Sequence, residues 1–280
     1  MVTALVIVSA FFHALWNALV KREADKTIMT IGVVGTATAI AAIAAVAQGI
    51  WLGRPPFTDW RSVAWCVGAG VFEAGYLYTL ALALTRSPLG VAYTVSRGTA
   101  LLVVWPVSVG LLGEHASPLG VAGATVLTAG LAVTGLDRAK LERGAGIAVL
   151  CGCFIAAYHL GYKQAMAIER SESAVVTLTL GIAVALNVAW IGRERRRELA
   201  AAFQRQVRGR VILAGACCAL GFLLALGGLR AGGAAAVLTL RNTSIVFAAL
   251  IARVGGEALG VRKLGGIGLV ALGALLLGLS

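Results

Sequence analysis

Long apolar runs separated by short polar loops fill the whole chain. A helix needs roughly 20 apolar residues to cross the hydrocarbon core of a bilayer. Runs of that kind recur at about 1–20, 28–50, 62–84, 88–112, 117–136, 144–162, 174–192, 210–229, 233–253 and 259–279. They lack the residue-by-residue alternation of outer-membrane strands, so they read as helices. The pattern predicts an all-α integral membrane protein with ten transmembrane helices. Met1 to Val20 is apolar from its first residue, has no basic leader and runs into Lys21-Arg22. It reads as the first membrane helix, not as a cleavable signal.

The second half of the pattern repeats the first. Phe12-His-Ala-Leu-Trp16-Asn17-Ala-Leu-Val-Lys21 aligns with Phe154-Ile-Ala-Ala-Tyr158-His159-Leu-Gly-Tyr162-Lys163 at an offset of 142. Arg86 aligns with Arg230 and Arg97 with Arg241 at 144, and Gly113-Glu114 with Gly256-Glu257 at 143. Offsets that drift so little indicate duplication. Residues 1–136 and 144–280 read as two five-helix repeats, joined by a connecting loop at 137–143. An odd number of crossings per copy sets the two copies in opposite orientations, an inverted-topology repeat.

Composition agrees with the class. Hydrophobic residues make up 59% of the chain and the mean hydropathy is +0.90, more apolar surface than a soluble domain of this size can bury. A net charge of +12 raises nucleic acid as a partner. The basic residues, however, sit mostly in short loops between apolar runs, where they set orientation and meet anionic lipid, so no nucleic-acid partner is expected. On the side opposite the termini the loops carry 17 Lys and Arg, against 5 on the termini side. That bias predicts termini outside and the 192–210 loop in the cytoplasm, in a multi-pass protein of the cytoplasmic (inner) membrane. The same loop, Arg193-Glu-Arg-Arg-Arg197 followed by Leu199, Phe203 and Val207, reads either as a solvated loop or as a short amphipathic helix on the inner leaflet.

The chemistry lies in polar residues stranded within apolar runs. Arg97 and Arg241 are the lone arginines of matching helices, and a guanidinium in hydrocarbon costs roughly 2.5–3.5 kcal/mol on insertion scales. Such a residue faces a partner or a wet cavity, or else snorkels. Glu73 sits near the middle of the third run. It reads as a proton-coupling carboxylate or a ligand for a substrate ammonium, or as a structural ion pair with Arg97. His13 and Asn17, four apart and so on one helix face with Trp16 beside them, suit a cavity wall. Tyr158, His159 and Tyr162 occupy the equivalent stretch of the second copy. Thr99, Asn242 and Thr243 stand next to the arginines, and Tyr76, Tyr93 and Asn187 are weaker candidates of the same kind. Helix–helix hydrogen bonding is the competing reading for all of these. Lys21 and Lys163 are expected to snorkel, and Glu114 and Glu257 to mark helix ends. One carboxylate against two guanidiniums leaves the membrane interior positive, which favours anionic or zwitterionic ligands.

Cys66, Cys151, Cys153, Cys217 and Cys218 all fall in apolar segments, and Cys151-Gly-Cys153 lacks CxxC spacing. No metal site, cofactor or catalytic motif such as HExxH or GxSxG is expected, and so no enzyme.

Ten helices as five plus five, Ala-Leu-Trp16-Asn17-x-x-x-Lys21, and Gly-Glu114 or Gly-Glu257 before a glycine-rich fifth helix (Gly120, Gly123, Gly130; Gly265, Gly266, Gly268) resemble the EamA-type branch of the drug/metabolite transporter superfamily. The resemblance covers essentially the whole chain. It implies a single-chain exporter or facilitator of small metabolites, often amino acids, with a central cavity and alternating access. Several relatives are described with cytoplasmic termini, whereas the charges here point the other way. The expected function is secondary transport of a small polar metabolite, zwitterionic or anionic and amino-acid-like, by a monomer, with Glu73 as the proton-coupling candidate. The alternatives are a multidrug or quaternary-cation exporter using Glu73, and a membrane scaffold without transport.

Overall fold

The computed structural model describes residues 2–21, 23, 25–53, 55–86, 89–135, 144–204, 208–256 and 260–279. The 137–143 connecting loop and Glu257 lie outside them. All regular structure among the described residues is helical: α1 (Val2–Lys21), α2 (Lys26–Leu52), α3 (Trp60–Arg86), α4 (Leu89–Gly110), α5 (Pro118–Gly135), α6 (Ala145–Ile168), α7 (Glu172–Trp190), α8 (Arg193–Gln204), α9 (Arg208–Ala231), α10 (Ala234–Arg241), α11 (Ser244–Val254) and α12 (Val261–Gly278). Eight stretches among them are long and apolar enough to cross a membrane, counting 234–254 as one. The fourth and fifth expected crossings are represented by shorter apolar helices, Val95–Gly110 and Pro118–Thr134.

Local chemistry sets the helix ends. Asp25 caps α2 by accepting the Ile28 amide at 3.0 Å, and Ser171 caps α7 by accepting that of Ala174 at 3.1 Å. Each side-chain oxygen satisfies one of the amide groups that a helix start leaves without a partner. One open reading is decided and one expectation changes. The 193–204 segment is a helix, the second of the two readings of that loop. It is anchored where Arg196 donates to the Val188 and Ala189 carbonyls at 2.8 Å and where Arg195 pairs with Asp25 at 2.8 Å. The run at 233–253 is two helices, not one. Thr243 Oγ1 donates to the Leu240 carbonyl at 2.7 Å. The Asn242 and Thr243 amides turn to Thr239 and Leu240, three residues back, at 3.1 and 3.0 Å. Short polar side chains compete locally for helix carbonyls, and the ladder tightens and breaks there.

The bundle is built across its two halves. α5 packs on α12, α3 on α6 and α7, α1 on α9, α4 on α6, α2 on α7 and α9, and α1 on α10 and α11. Exchanging each helix for its sequence duplicate turns α3–α6 into α9–α1, α3–α7 into α9–α2, and α4–α6 into α10/α11–α1, all of which occur. Duplicate helices also run antiparallel. Gln48 of α2 accepts from Ser171 at the start of α7 at 2.6 Å, while Thr38, further back on α2, faces Gly181, further along α7. In the α5–α12 pair, Gly123 faces Gly273 and Gly130 faces Gly266.

Contacts between connections define two ends. At the termini end Gly278 meets Thr3 and Gly232 meets Val2, the Phe57 amide donates to Glu169 Oε2 at 2.7 Å, and Arg230 pairs with Glu172 at 2.7 Å. At the opposite end Arg195 joins Asp25, Arg210 joins Glu23 at 3.0 Å, and Arg262 donates to the Val133 carbonyl at 3.0 Å. Large apolar side chains such as Ile43, Ile50, Leu102 and Leu275 remain exposed on the outside, as a lipid-facing surface requires.

The α5–α12 contact depends on missing side chains. A Cβ on Gly130 would fall 2.7 Å from the Val270 amide and 2.8 Å from the Gly266 carbonyl. Gly130→Ala therefore pushes two backbones apart and is expected to destabilise by about 1–3 kcal/mol, read as a lower thermal unfolding midpoint in detergent. Gly268→Ala, where nothing lies within 4 Å, is expected to leave the midpoint in place; equal losses would contradict the packing account.

Candidate functional site

Helices from both halves bring polar side chains to the middle of the bundle. α1 supplies His13 and Trp16, α3 supplies Glu73 and Tyr76, α4 supplies Arg97, α6 supplies Tyr158 and Tyr162, and α9 supplies Phe222. Arg241 stands at the last turn of α10, and Asn242 follows at the break. All of them are buried, Glu73 to 2%, Arg241 to 3% and Arg97 to 5% relative exposure. In a lipid-embedded bundle a charge at that depth persists only with partners, and each has one.

Arg97 Nη2 lies 3.0 Å from His13 Nε2. A guanidinium can only donate, so Nε2 carries the lone pair, the imidazole is neutral and its proton sits on Nδ1. Glu73 Oε2 accepts from the Tyr162 hydroxyl at 2.5 Å. Arg241 spreads its guanidinium over the Phe222 ring, 4.8 Å from the centroid, a cation–π contact that gains strength away from water. Its place at the C-terminal end of α10 also sets its charge against the negative end of the helix dipole. Aromatic rings tie these groups together: Phe222 to Tyr162 at 6.2 Å, Tyr162 to Tyr158 at 5.8 Å, Tyr158 to Tyr76 at 5.6 Å, and His13 to Trp16 at 5.4 Å.

Around this centre several buried polar atoms have no partner among the described residues: His13 Nδ1, Trp16 Nε1, Arg241 Nε, and both Oδ1 and Nδ2 of Asn242. With His13 in the tautomer that Arg97 imposes, all but Asn242 Oδ1 are N–H donors. Orphaned buried donors are costly, and in folded proteins such groups are usually met by a partner or an ordered water.

The remaining candidates go elsewhere. Glu73 bonds to Tyr162 and Arg97 to His13, so the ion pair weighed for Glu73 and Arg97 gives way to a separate partner for each. Asn17 donates back to the His13 carbonyl at 2.7 Å, and Asn187 to that of Ala183 at 2.8 Å. Thr243 donates to the Leu240 carbonyl at 2.7 Å. Thr99 packs against Gly152 in the α4–α6 contact, and the Tyr93 side chain lies outside the described residues. His159 reaches the Ala234 carbonyl at 3.0 Å, at the start of α10. Lys163 does not snorkel: its Nζ donates to the Leu229 and Gly232 carbonyls at 2.9 and 2.7 Å. Phe222 went unnoticed in the sequence because an apolar residue in an apolar helix carries no signal of its own.

An apolar exterior with buried guanidiniums and a carboxylate inside, drawn from duplicated antiparallel helices, is how membrane transport proteins are made. The chain belongs to the EamA-like transporter family, and so to the drug/metabolite transporter superfamily; the family's model matches residues 142–279. A protein known from a crystal structure is 21% identical over 99% of this chain and 96% of its own, with a TM-score of 0.73, so the two share a fold along their whole length. No curated protein is similar enough to match.

The Glu73–Tyr162 bond yields a direct test. Tyr162→Phe removes the hydroxyl and leaves a buried carboxylate without this donor, a change expected to cost about 1.5–3 kcal/mol. The thermal midpoint of the purified variant should fall; an unchanged midpoint would mean that Glu73 does not depend on this bond.

Proposed function

We propose that the chain is a secondary transporter that moves a small polar metabolite, anionic or zwitterionic and amino-acid-like, across the cytoplasmic membrane by alternating access. The observation that carries the reading is the set of buried, unpartnered donors on His13, Trp16, Arg241 and Asn242 beside two guanidiniums and a single carboxylate. An anionic group satisfies those donors and offsets the positive excess. Glu73, with the rings of Tyr76, Tyr158, Tyr162 and Phe222 near it, offers the place for an ammonium.

Alternating access draws support from the exchange symmetry of the helix packing and from the antiparallel course of duplicate helices, the features of a ten-helix inverted repeat of two five-helix units. Both halves of the bundle come from one chain, so it acts as a monomer. The charge bias of the loops supports termini outside and the basic α8 on the cytoplasmic face. Export is the direction that the family resemblance supports, and Glu73 is the carboxylate through which a proton would couple. The second reading, an exporter of organic cations, rests on the same aromatic rings around Glu73.

A thermal-shift screen separates the two readings, because a ligand at about 100 times its Kd stabilises the folded state by about 2.7 kcal/mol. Amino acids and short carboxylates are expected to raise the midpoint of the wild type. The shift should vanish in Arg241→Ala, and in Glu73→Gln it should shrink for ligands that carry an ammonium. Stabilisation by quaternary ammonium ions that survives Arg241→Ala but not Glu73→Gln would sink the first reading in favour of the second.

A further inference from the structure

The first turn of α10 is clasped from three sides. Glu114, just past the end of α4, accepts the Ala234 amide on Oε1 at 2.8 Å and the Ala235 amide on Oε2 at 3.4 Å. Lys163 of α6 stands 3.9 Å from Glu114 Oε1. It also donates to the carbonyls of Leu229, at the end of α9, and Gly232, in the link to α10. His159, one turn earlier on α6, bonds to the Ala234 carbonyl. Gly233 makes the approach possible: a Cβ there would fall 2.7 Å from Glu114 Oε2. One end of α4, from the first repeat, is thereby pinned to α6, α9 and α10 of the second, at the termini end of the bundle.

What this clasp holds is mechanically tied to the site. α10 is only eight residues long, about 12 Å, and its last residue is Arg241. Glu114 at its start and Arg241 at its end both oppose the helix dipole, so the two charges stabilise the same short rod from opposite ends. Beyond Arg241 the Asn242–Thr243 break separates α10 from α11, leaving a point about which α10 can pivot. Release of the clasp frees one end of the rod that carries Arg241.

We propose that Glu114, Lys163 and His159 form a gate closing the termini end of the bundle, and that α10 couples its opening to the position of Arg241. The inference rests on the alternating-access reading given above. Weakening the clasp biases the protein toward opening at that end and keeps the other shut.

Amide hydrogen exchange of the full chain in lipid nanodiscs tests this, comparing wild type, Glu114→Gln and Lys163→Gln. Glu114→Gln should speed exchange in 229–237 roughly fivefold, the effect of losing a helix cap, and slow exchange at the opposite end, in 82–86, 89–94 and 250–256. Lys163→Gln keeps the carboxylate cap and should act in the same direction as Glu114→Gln, so the result does not hang on one variant folding. Faster exchange in 229–237 with no change at the opposite end would overturn the proposal and mark Glu114 as an ordinary cap. Protection of the Arg241 region by an amino acid, read on wild type in the same experiment, tests the transport reading separately. The reciprocal pattern without that protection would sustain the gate and remove the ligand site.

Discussion

Hydrocarbon gives an ion nothing to bond with, and the bundle is arranged around three side chains that cannot tolerate that condition. Arg97, Arg241 and Glu73 each need a partner supplied from another helix, and the partners come from across the molecule. His13 on α1 meets Arg97 on α4, Tyr162 on α6 meets Glu73 on α3, and Phe222 on α9 lies beneath Arg241 on α10. One of these pairs is also a closely packed helix pair, α3–α6, and α1 packs on α10 and α11, the duplicate of α4. Packing between lipid-soluble helices gains little from the hydrophobic effect. Close glycine contacts such as Gly130 on Gly266 therefore hold the rim together, while buried polar partners fix which helices meet in the middle.

The interleaving of the halves has a functional consequence. Because α3 packs on α6 and α7, and α9 on α1 and α2, neither repeat has a core of its own. A rearrangement that loosens one end must slide these cross-repeat contacts together. The Glu114–Lys163 contact sits where α4 meets α6, α9 and α10, which makes it a natural control point. The divergence of the copies matters as well. Glu73 stands where the second copy has Cys217, and Tyr158 where the first has Trp16. A pseudo-symmetric scaffold thus encloses an asymmetric centre.

Much of this was legible in the sequence because membrane burial makes polar residues conspicuous. Arg97, Arg241, Glu73 and His13 stood out against apolar neighbours, and each turned out to be buried at the centre. The repeat was read from residues that recur at nearly constant spacing, Lys21 and Lys163, Gly113-Glu114 and Gly256-Glu257. What escaped was pairing. Glu73 and Arg97 looked like mutual partners on charge alone, but hydrogen-bond geometry gave each a neutral partner. Lys163 looked like a snorkelling residue because it ends an apolar run, yet the open carbonyls at the end of α9 hold it inside. The break at Asn242–Thr243 was hidden because its flanks are apolar over a full membrane length, and only local side-chain bonding reveals it. Thr99, two residues after Arg97 and so on a different face of α4, packs against Gly152.

The central claim is that Arg241 and its unpartnered neighbours form a ligand site served from both sides of the membrane. Counterflow into proteoliposomes tests it most directly. Vesicles holding the wild-type protein are loaded with the amino acid that best stabilises it, and uptake of a radiolabelled trace of the same compound is followed. Saturable accumulation above that of empty vesicles, abolished by Arg241→Ala in a variant that still folds, is the predicted result. Uptake no greater than that of empty vesicles, or uptake that Arg241→Ala leaves unchanged, would contradict the account.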